Sequence, residues 1–197
     1  VMGMLTVGSL AILLAINVPY FQETFPRAQT WVNRVKNFSK DKTAVVHSDE
    51  FHQVAQAKIA IVNGGISGRG PGKSIQRNVL PHPYSDYVYA IIIEEYGVIG
   101  GLVVLILYLT LLVRGKRIFY LARDHFSSLL AVGLSMTLVF QALINMAVAV
   151  DLFPVTGQTL PLISMGGISI FFTCITIGII LSVSKEITES KITYGTI

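Results

Sequence analysis

The stretch YVYAIIIEEYGVIGGLVVLILYLTLLV, residues 87–113, decides the fold class. Only Glu94 and Glu95 break it with charge. It exceeds the ~20 residues that cross a ~30 Å hydrocarbon core. Backbone groups find no water partner there, so the run reads as a membrane helix. Outward from it, residues 127–150 and 160–184 are apolar runs of the same kind, and residues 1–19 form a fourth, shortened one. The expected fold is all-α: a polytopic transmembrane helical bundle of about four membrane helices with a large extracytoplasmic loop.

Composition agrees. The 197 residues are 52% apolar and 13% charged, against ~25% charged in soluble domains. Mean hydropathy is +0.64, as a lipid solvent selects. The single cysteine, Cys174, lies inside an apolar run and can build neither a disulfide framework nor a metal cluster. The net charge of +4 comes without a basic face, which argues against nucleic acid as a partner. Val1 opens the chain without a charged n-region, so a signal peptide is a poor reading. The expectation is an interior fragment, the C-terminal part of a longer protein.

Charge near the helix ends sets an expected orientation. Arg114, Lys116, Arg117 and Arg123 crowd residues 114–126, whereas 151–159 carry no Lys or Arg. The positive-inside rule puts 114–126 in the cytoplasm and 151–159 outside. Lys185 and Lys191 place the tail, 185–197, in the cytoplasm. Residues 20–82 then form an external loop, too long to be a passive connection. Within it, 51–62 reads as an amphipathic helix with Phe51, Val54, Ala55, Ile59 and Val62 on one side. It either lies in the headgroup plane or packs on the membrane helices.

A glycine-rich run follows, with five glycines between 64 and 72. Its Gly72-Lys73-Ser74 is no nucleotide-binding loop: Ser67 stands where the motif needs Gly, and no strand precedes it. The exposed N–H groups of such a run, with Arg69, Lys73 and Arg77, suit a diphosphate. A solvated loop whose cations touch anionic lipid explains them equally well.

A helix over 83–113 would be ~46 Å long, more than the ~30 Å core. Its first turn would stand near the outer surface, with Ser85 as N-cap and Asp86 in the first turn, favoured there by the helix dipole. Glu94 and Glu95 sit deeper. A charged side chain at a helix centre costs ~2.5–3.5 kcal/mol on insertion scales, so both face protein or water. They are either packed structural acids or, at Glu94, a substrate contact. Gln141 and Asn145 share a helix face and suit interhelical hydrogen bonds. Gly166, Gly167, Ser169, Thr173 and Thr176 suit close packing, and Pro161 and Ser164 could line an external cavity. His47, His52, His82 and His125 show no ligand spacing.

Two stretches carry a resemblance. Residues 53–100 read QVAQAKIAIVNGGISGRGPGKSIQRNVLPHPYSDYVYAIIIEEYGVIG, and 141–169 read QALINMAVAVDLFPVTGQTLPLISMGGIS. A glycine run, Leu80-Pro81, an aspartate at Asp86 and Glu94-Glu95-Tyr96-Gly97 follow in the order found in the SEDS family of bacterial cell-wall glycosyltransferases. Residues 156–161 look like its division and sporulation branch. Tyr84-Ser85 stands where the family has His-Thr, and Ser164-Met165-Gly166-Gly167-Ile168 where it has Ser-Tyr-Gly-Gly-Ser. The family has ten membrane helices, of which this chain resembles the last four.

The resemblance implies a peptidoglycan glycosyltransferase of the bacterial cytoplasmic membrane, polymerising lipid II into glycan strands during cell division. It implies Asp86 as the catalytic base and release of a polyprenyl diphosphate. Arg69, Lys73 and Arg77 would stabilise that diphosphate, with or without a divalent cation (Mg²⁺ or Mn²⁺), and Ser85, Glu94, Pro161 and Ser164 would contact substrate. The implied partners are a class B penicillin-binding protein, a transpeptidase, and other cell-division proteins. Two alternatives stay open: a flippase for the same lipid-linked precursor, and a non-catalytic divisome scaffold.

Overall fold

The computed structural model describes Arg34 and residues 49–80, 84–122 and 124–194. The expected segment 1–19, most of the loop before residue 49, and Pro81, His82, Pro83 and Arg123 lie outside the described residues. Four α-helices lie among the described residues: α1 (Asp49–Gly64), α2 (Val88–Leu121), α3 (His125–Ala149) and α4 (Gly167–Tyr194). A short 3₁₀ turn, Gln76–Asn78, lies between α1 and α2. No strand occurs among the described residues. Among the described residues three helices are long and apolar enough to cross a membrane: Val88–Leu121, His125–Ala149 and Gly167–Ile187. Their outward side chains, among them Leu102, Leu107, Phe171, Phe172 and Leu181, are apolar and exposed, as a lipid-facing surface requires.

The helix bounds differ from the expected ones in four places, one being the end of α4, which runs to Tyr194 through most of the expected 185–197 tail. α2 begins at Val88, not 83, because residues 84–86 form a turn held from outside the helix. α2 also runs on to Leu121 through Arg114, Lys116 and Arg117. These residues are good helix formers, and nothing breaks the helix before Ala122, where the backbone turns extended. Most of the expected 114–126 loop is therefore helix. α4 starts at Gly167 instead of 160. Residues 160–166 are a turn: the Ser164 hydroxyl accepts from the Leu160 N–H at 2.8 Å, and Leu162 takes φ +69°.

α3 starts cleanly. The Asp124 carboxylate accepts from both the N–H and the hydroxyl of Ser127 at 3.1 Å, satisfying an orphan donor of the first turn. Those bonds hold the Asp124 carboxyl below the usual carboxylate range. Small residues then let α3 approach α2. A Cβ on Gly115 would come within 2.4 Å of the Ser135 hydroxyl oxygen, and Ala131 and Ser135 are fully buried.

α1 packs on the membrane helices, through a face that keeps Val54 of the expected one but is centred on Ala57 and Ala60. Ala57 and Ala60 are buried in one cluster with Tyr87, Ala90 and Ile93, while Ile59 and Val62 point outward. The reason is steric. A Cβ on Gly64 would sit 2.0 Å from the Ile93 carbonyl oxygen, so only small side chains fit this seam. The side chain of Phe51 lies outside the described residues. Lys58 adds an ion pair to Asp151 at 2.5 Å, tying α1 to the turn that follows α3.

Candidate active site

The aspartate segment precedes α2 and is held by its backbone. Three consecutive carbonyls each receive a hydrogen bond from the far end of the chain. Met165 N–H donates to Tyr84 O at 2.8 Å. The Ser164 hydroxyl donates to Ser85 O at 2.6 Å. Asn145 Nδ2 donates to Asp86 O at 3.0 Å and to Gln158 O at 2.6 Å. Nearby, Gln141 Nε2 donates to Thr159 O at 3.1 Å, the Tyr108 hydroxyl donates to Pro161 O, and Thr159 and Ser169 share a 2.8 Å bond. The α3–α4 turn thus closes over the start of α2.

The Asp86 side chain is half-buried, with Tyr84 exposed beside it. Ser85 is not an N-cap: α2 is preceded by Tyr87 without a side-chain cap, and the Ser85 hydroxyl donates to Asp86 Oδ1 at 2.9 Å. Asp86 is therefore an oriented carboxylate with one oxygen engaged by Ser85 and open to the surface at the head of a membrane helix. Ser164 and Pro161 stand close behind it, but both are buried and their polar atoms serve the frame.

The glycine-rich run does something its composition did not suggest. α2 is interrupted at Gly97, whose φ of 73° and ψ of −176° are non-helical. The run fills the break. Arg69 N–H donates to Glu94 O at 3.0 Å, Gly70 N–H to Glu95 O at 2.9 Å, and Val98 N–H to Gly65 O at 3.0 Å. Glu94 is fully buried beneath it and accepts from Ser74 Oγ, from Ile75 N–H at 3.2 Å and from Gln76 N–H at 3.3 Å. Its partners belong to the preceding loop, as a packed structural acid requires. Gly68, Arg69 and Gly70 spend their N–H groups inside the protein, so these amides do not form the expected anion cradle. The side chains of Arg69 and Lys73 are exposed and that of Arg77 is half-buried. They are anchored near Glu94, eight residues beyond Asp86, of which the stretch from Val88 onward is ~9 Å of helix.

Replacing Glu94 tests this anchoring. Glu94→Leu leaves three donors without an acceptor, two of them buried at ~1–3 kcal/mol each. A clearly lower melting temperature in detergent and faster proteolysis between residues 65 and 76 are expected. Unchanged melting would show that the loop is held otherwise.

No three His, Cys, Asp or Glu side chains gather as a metal cage among the described residues. Asp86 and Ser85 do not make one by themselves. His52 and His125 are exposed.

Apolar helices bundled around a fixed, surface-facing carboxylate define a polytopic membrane protein with a polar site at one mouth of the bundle. The family described as cell cycle proteins FtsW, RodA and SpoVE matches residues 1–189. This chain belongs to that family. A probable peptidoglycan glycosyltransferase FtsW of Legionella pneumophila is 44% identical over 139 residues, covering 68% of this chain and 35% of that protein. Stage V sporulation protein E of Bacillus subtilis is 42% identical over 134 residues, covering 68% and 37%. A probable FtsW of Hahella chejuensis is 36% identical over 188 residues, covering 93% and 44%. Among solved structures, a chain from work on the structural coordination of polymerization and crosslinking by a peptidoglycan synthase complex superposes with TM-score 0.63 at 26% identity. That match covers 93% of this chain and 49% of the other. The chain thus spans about a third to under a half of the curated relatives named here.

Proposed function

We propose that this chain is the acceptor-activating part of a peptidoglycan glycosyltransferase that polymerises lipid II at the outer face of the cytoplasmic membrane during division. The observation that carries the proposal is Asp86: an oriented, half-buried carboxylate at the head of a membrane helix, in a chain of this family. A sugar hydroxyl is a weak nucleophile. A carboxylate that takes its proton as the bond forms contributes ~10²–10⁴-fold. In the proposed step the 4-hydroxyl of one lipid II attacks the anomeric carbon of the growing strand. Asp86 receives the hydroxyl proton, the anomeric carbon–oxygen bond breaks, and polyprenyl diphosphate leaves.

Ser85 orients the base. Arg69, Lys73 and Arg77 are candidates to balance the leaving charge, on the ground of charge alone. No step is assigned to a divalent cation. The charge pattern supports an extracytoplasmic site and a cytoplasmic C-terminus. The name of the structural neighbour supports a partner that cross-links, and a class B penicillin-binding protein has that chemistry.

Transport of the lipid-linked precursor would run through the intramembrane acids. Glu94 is poorly suited to it, buried under the loop with its acceptors occupied. The deciding assay is polymerisation of lipid II by the purified full-length protein, alone and with its transpeptidase partner. Glycan strands on a gel support the proposal. No product under either condition, with lipid II translocated in liposomes, would put the transport reading in its place.

A further inference from the structure

Asn145 lies deep in α3, 1% exposed. Both groups within reach of its Nδ2 are carbonyl oxygens, Asp86 O and Gln158 O. Carbonyls only accept, so the amide must present its NH₂ to them. Each Nδ2 proton has one partner, and the two partners lie on different elements. One is the residue proposed as the base, and the other belongs to the turn leading into α4. Ser164 makes a parallel link: its hydroxyl accepts from Leu160 N–H within that turn and donates to Ser85 O. Met165 N–H adds Tyr84 O. The carbonyls of residues 84, 85 and 86 are thus each held by a donor from another element, Met165, Ser164 and Asn145. Local turn bonds do not serve these three carbonyls; their donors come from α3 and from the α3–α4 turn.

We infer that Asn145, seconded by Ser164, is a positioning residue that sets the height and direction of the Asp86 carboxylate relative to the acceptor sugar. Without the Nδ2 bond the Asp86 backbone is free to shift toward solvent, and the carboxylate moves with it. Reacting groups must sit within a few tenths of an ångström of the productive geometry, and a misplacement of ~1 Å costs on the order of 10²-fold in rate. Ground-state binding of the long lipid substrate, spread over many contacts, should change little.

This inference rests on the glycosyltransferase reading, and the experiment separates the two. Asn145→Asp keeps the shape of the side chain but offers at most one proton, and that only when uncharged. Asn145→Leu keeps the branched heavy-atom skeleton, with bulkier ends, and offers none. Ser164→Ala removes the second link. All are made in the full-length protein with its partner, and kcat and KM for lipid II are measured beside amide hydrogen exchange of the peptide spanning residues 84–90. Both Asn145 variants are expected to lose kcat on the order of 10²-fold, with KM changed by less than about threefold. Ser164→Ala loses less, and exchange at 84–90 rises in all three. If Asn145→Asp turns over like wild type, shape alone matters and the inference is wrong. If KM rises while kcat holds, Asn145 serves substrate binding and the inference is again wrong. If an Asn145 variant does not accumulate, Ser164→Ala carries the test, and wild-type kcat with unchanged exchange overturns the clamp. Should wild type itself form no glycan, the glycosyltransferase reading fails, while the exchange data still decide whether Asn145 holds the segment.

Discussion

Asp86→Asn in the full-length protein should reduce lipid II polymerisation by on the order of 10²–10⁴-fold while leaving folding intact. The substitution replaces one carboxylate oxygen by NH₂ and changes no volume. The backbone of residue 86 keeps its bond from Asn145, and neighbouring Tyr84 and Ser85 keep theirs from Met165 and Ser164. The Ser85 hydroxyl still finds a side-chain oxygen to donate to. What disappears is the ability to take a proton at neutral pH, which is the property the mechanism requires. The measurement is glycan product per unit time at matched melting temperature and matched partner binding. Normal polymerisation by the variant would remove Asp86 as base and favour a scaffold or transport role for the chain.

The largest structural effect should come from Gly97→Ala. The backbone at Gly97, φ 73° and ψ −176°, belongs to a region essentially reserved for glycine, and holding another residue there costs ~1–3 kcal/mol. Space is lacking too: a Cβ would stand 2.1 Å from the Ile66 carbonyl oxygen and 2.6 Å from Gly68 N. Both are main-chain atoms, so no side chain can swing aside. The variant must straighten the helix and expel the loop, or fail to fold. We expect little protein in the membrane, or protein whose glycine-rich run is cut rapidly by protease. Gly133, with no atom near its Cβ position, is the control. Equal melting of Gly97→Ala and wild type would show that the break is not needed.

Much of the bundle was legible because lipid leaves a coarse signature. Runs of apolar residues announced α2, α3 and the body of α4, and the charges flanking them suggested an orientation. The site was legible only through the resemblance, since Asp86 by itself is one acid near a helix start. Three things stayed hidden. Gly97 sits among Gly100 and Gly101 in an apolar run, and one glycine of such a set cannot be told to have positive φ until its neighbours in space are known. Ala57 and Ala60 form the packing face of α1, yet hydropathy gives weight to Ile59 and Val62, which point outward. Asn145 and Gln141 were seen as a polar face suited to helix–helix bonds. Their acceptors are backbone carbonyls in loops, which leave no trace in residue identity.

The exchange of backbone bonds at Gly97 also constrains how the chain assembles. If α2 broke alone, the Glu94 and Glu95 carbonyls and the Val98 N–H would be left bare, and the Glu94 carboxylate with them. If the loop docked onto a straight helix, Gly65 O, Arg69 N–H and Gly70 N–H would lack partners. Each half-made state strands buried polar groups without compensation. Docking of the loop and breaking of the helix therefore favour each other, like a zip fastener that closes best when both rows are bent. A polytopic chain can deliver α2 to the bilayer as an ordinary straight span and convert it afterwards. The loop that drives the conversion lies earlier in the chain, so it has already been synthesised when α2 arrives.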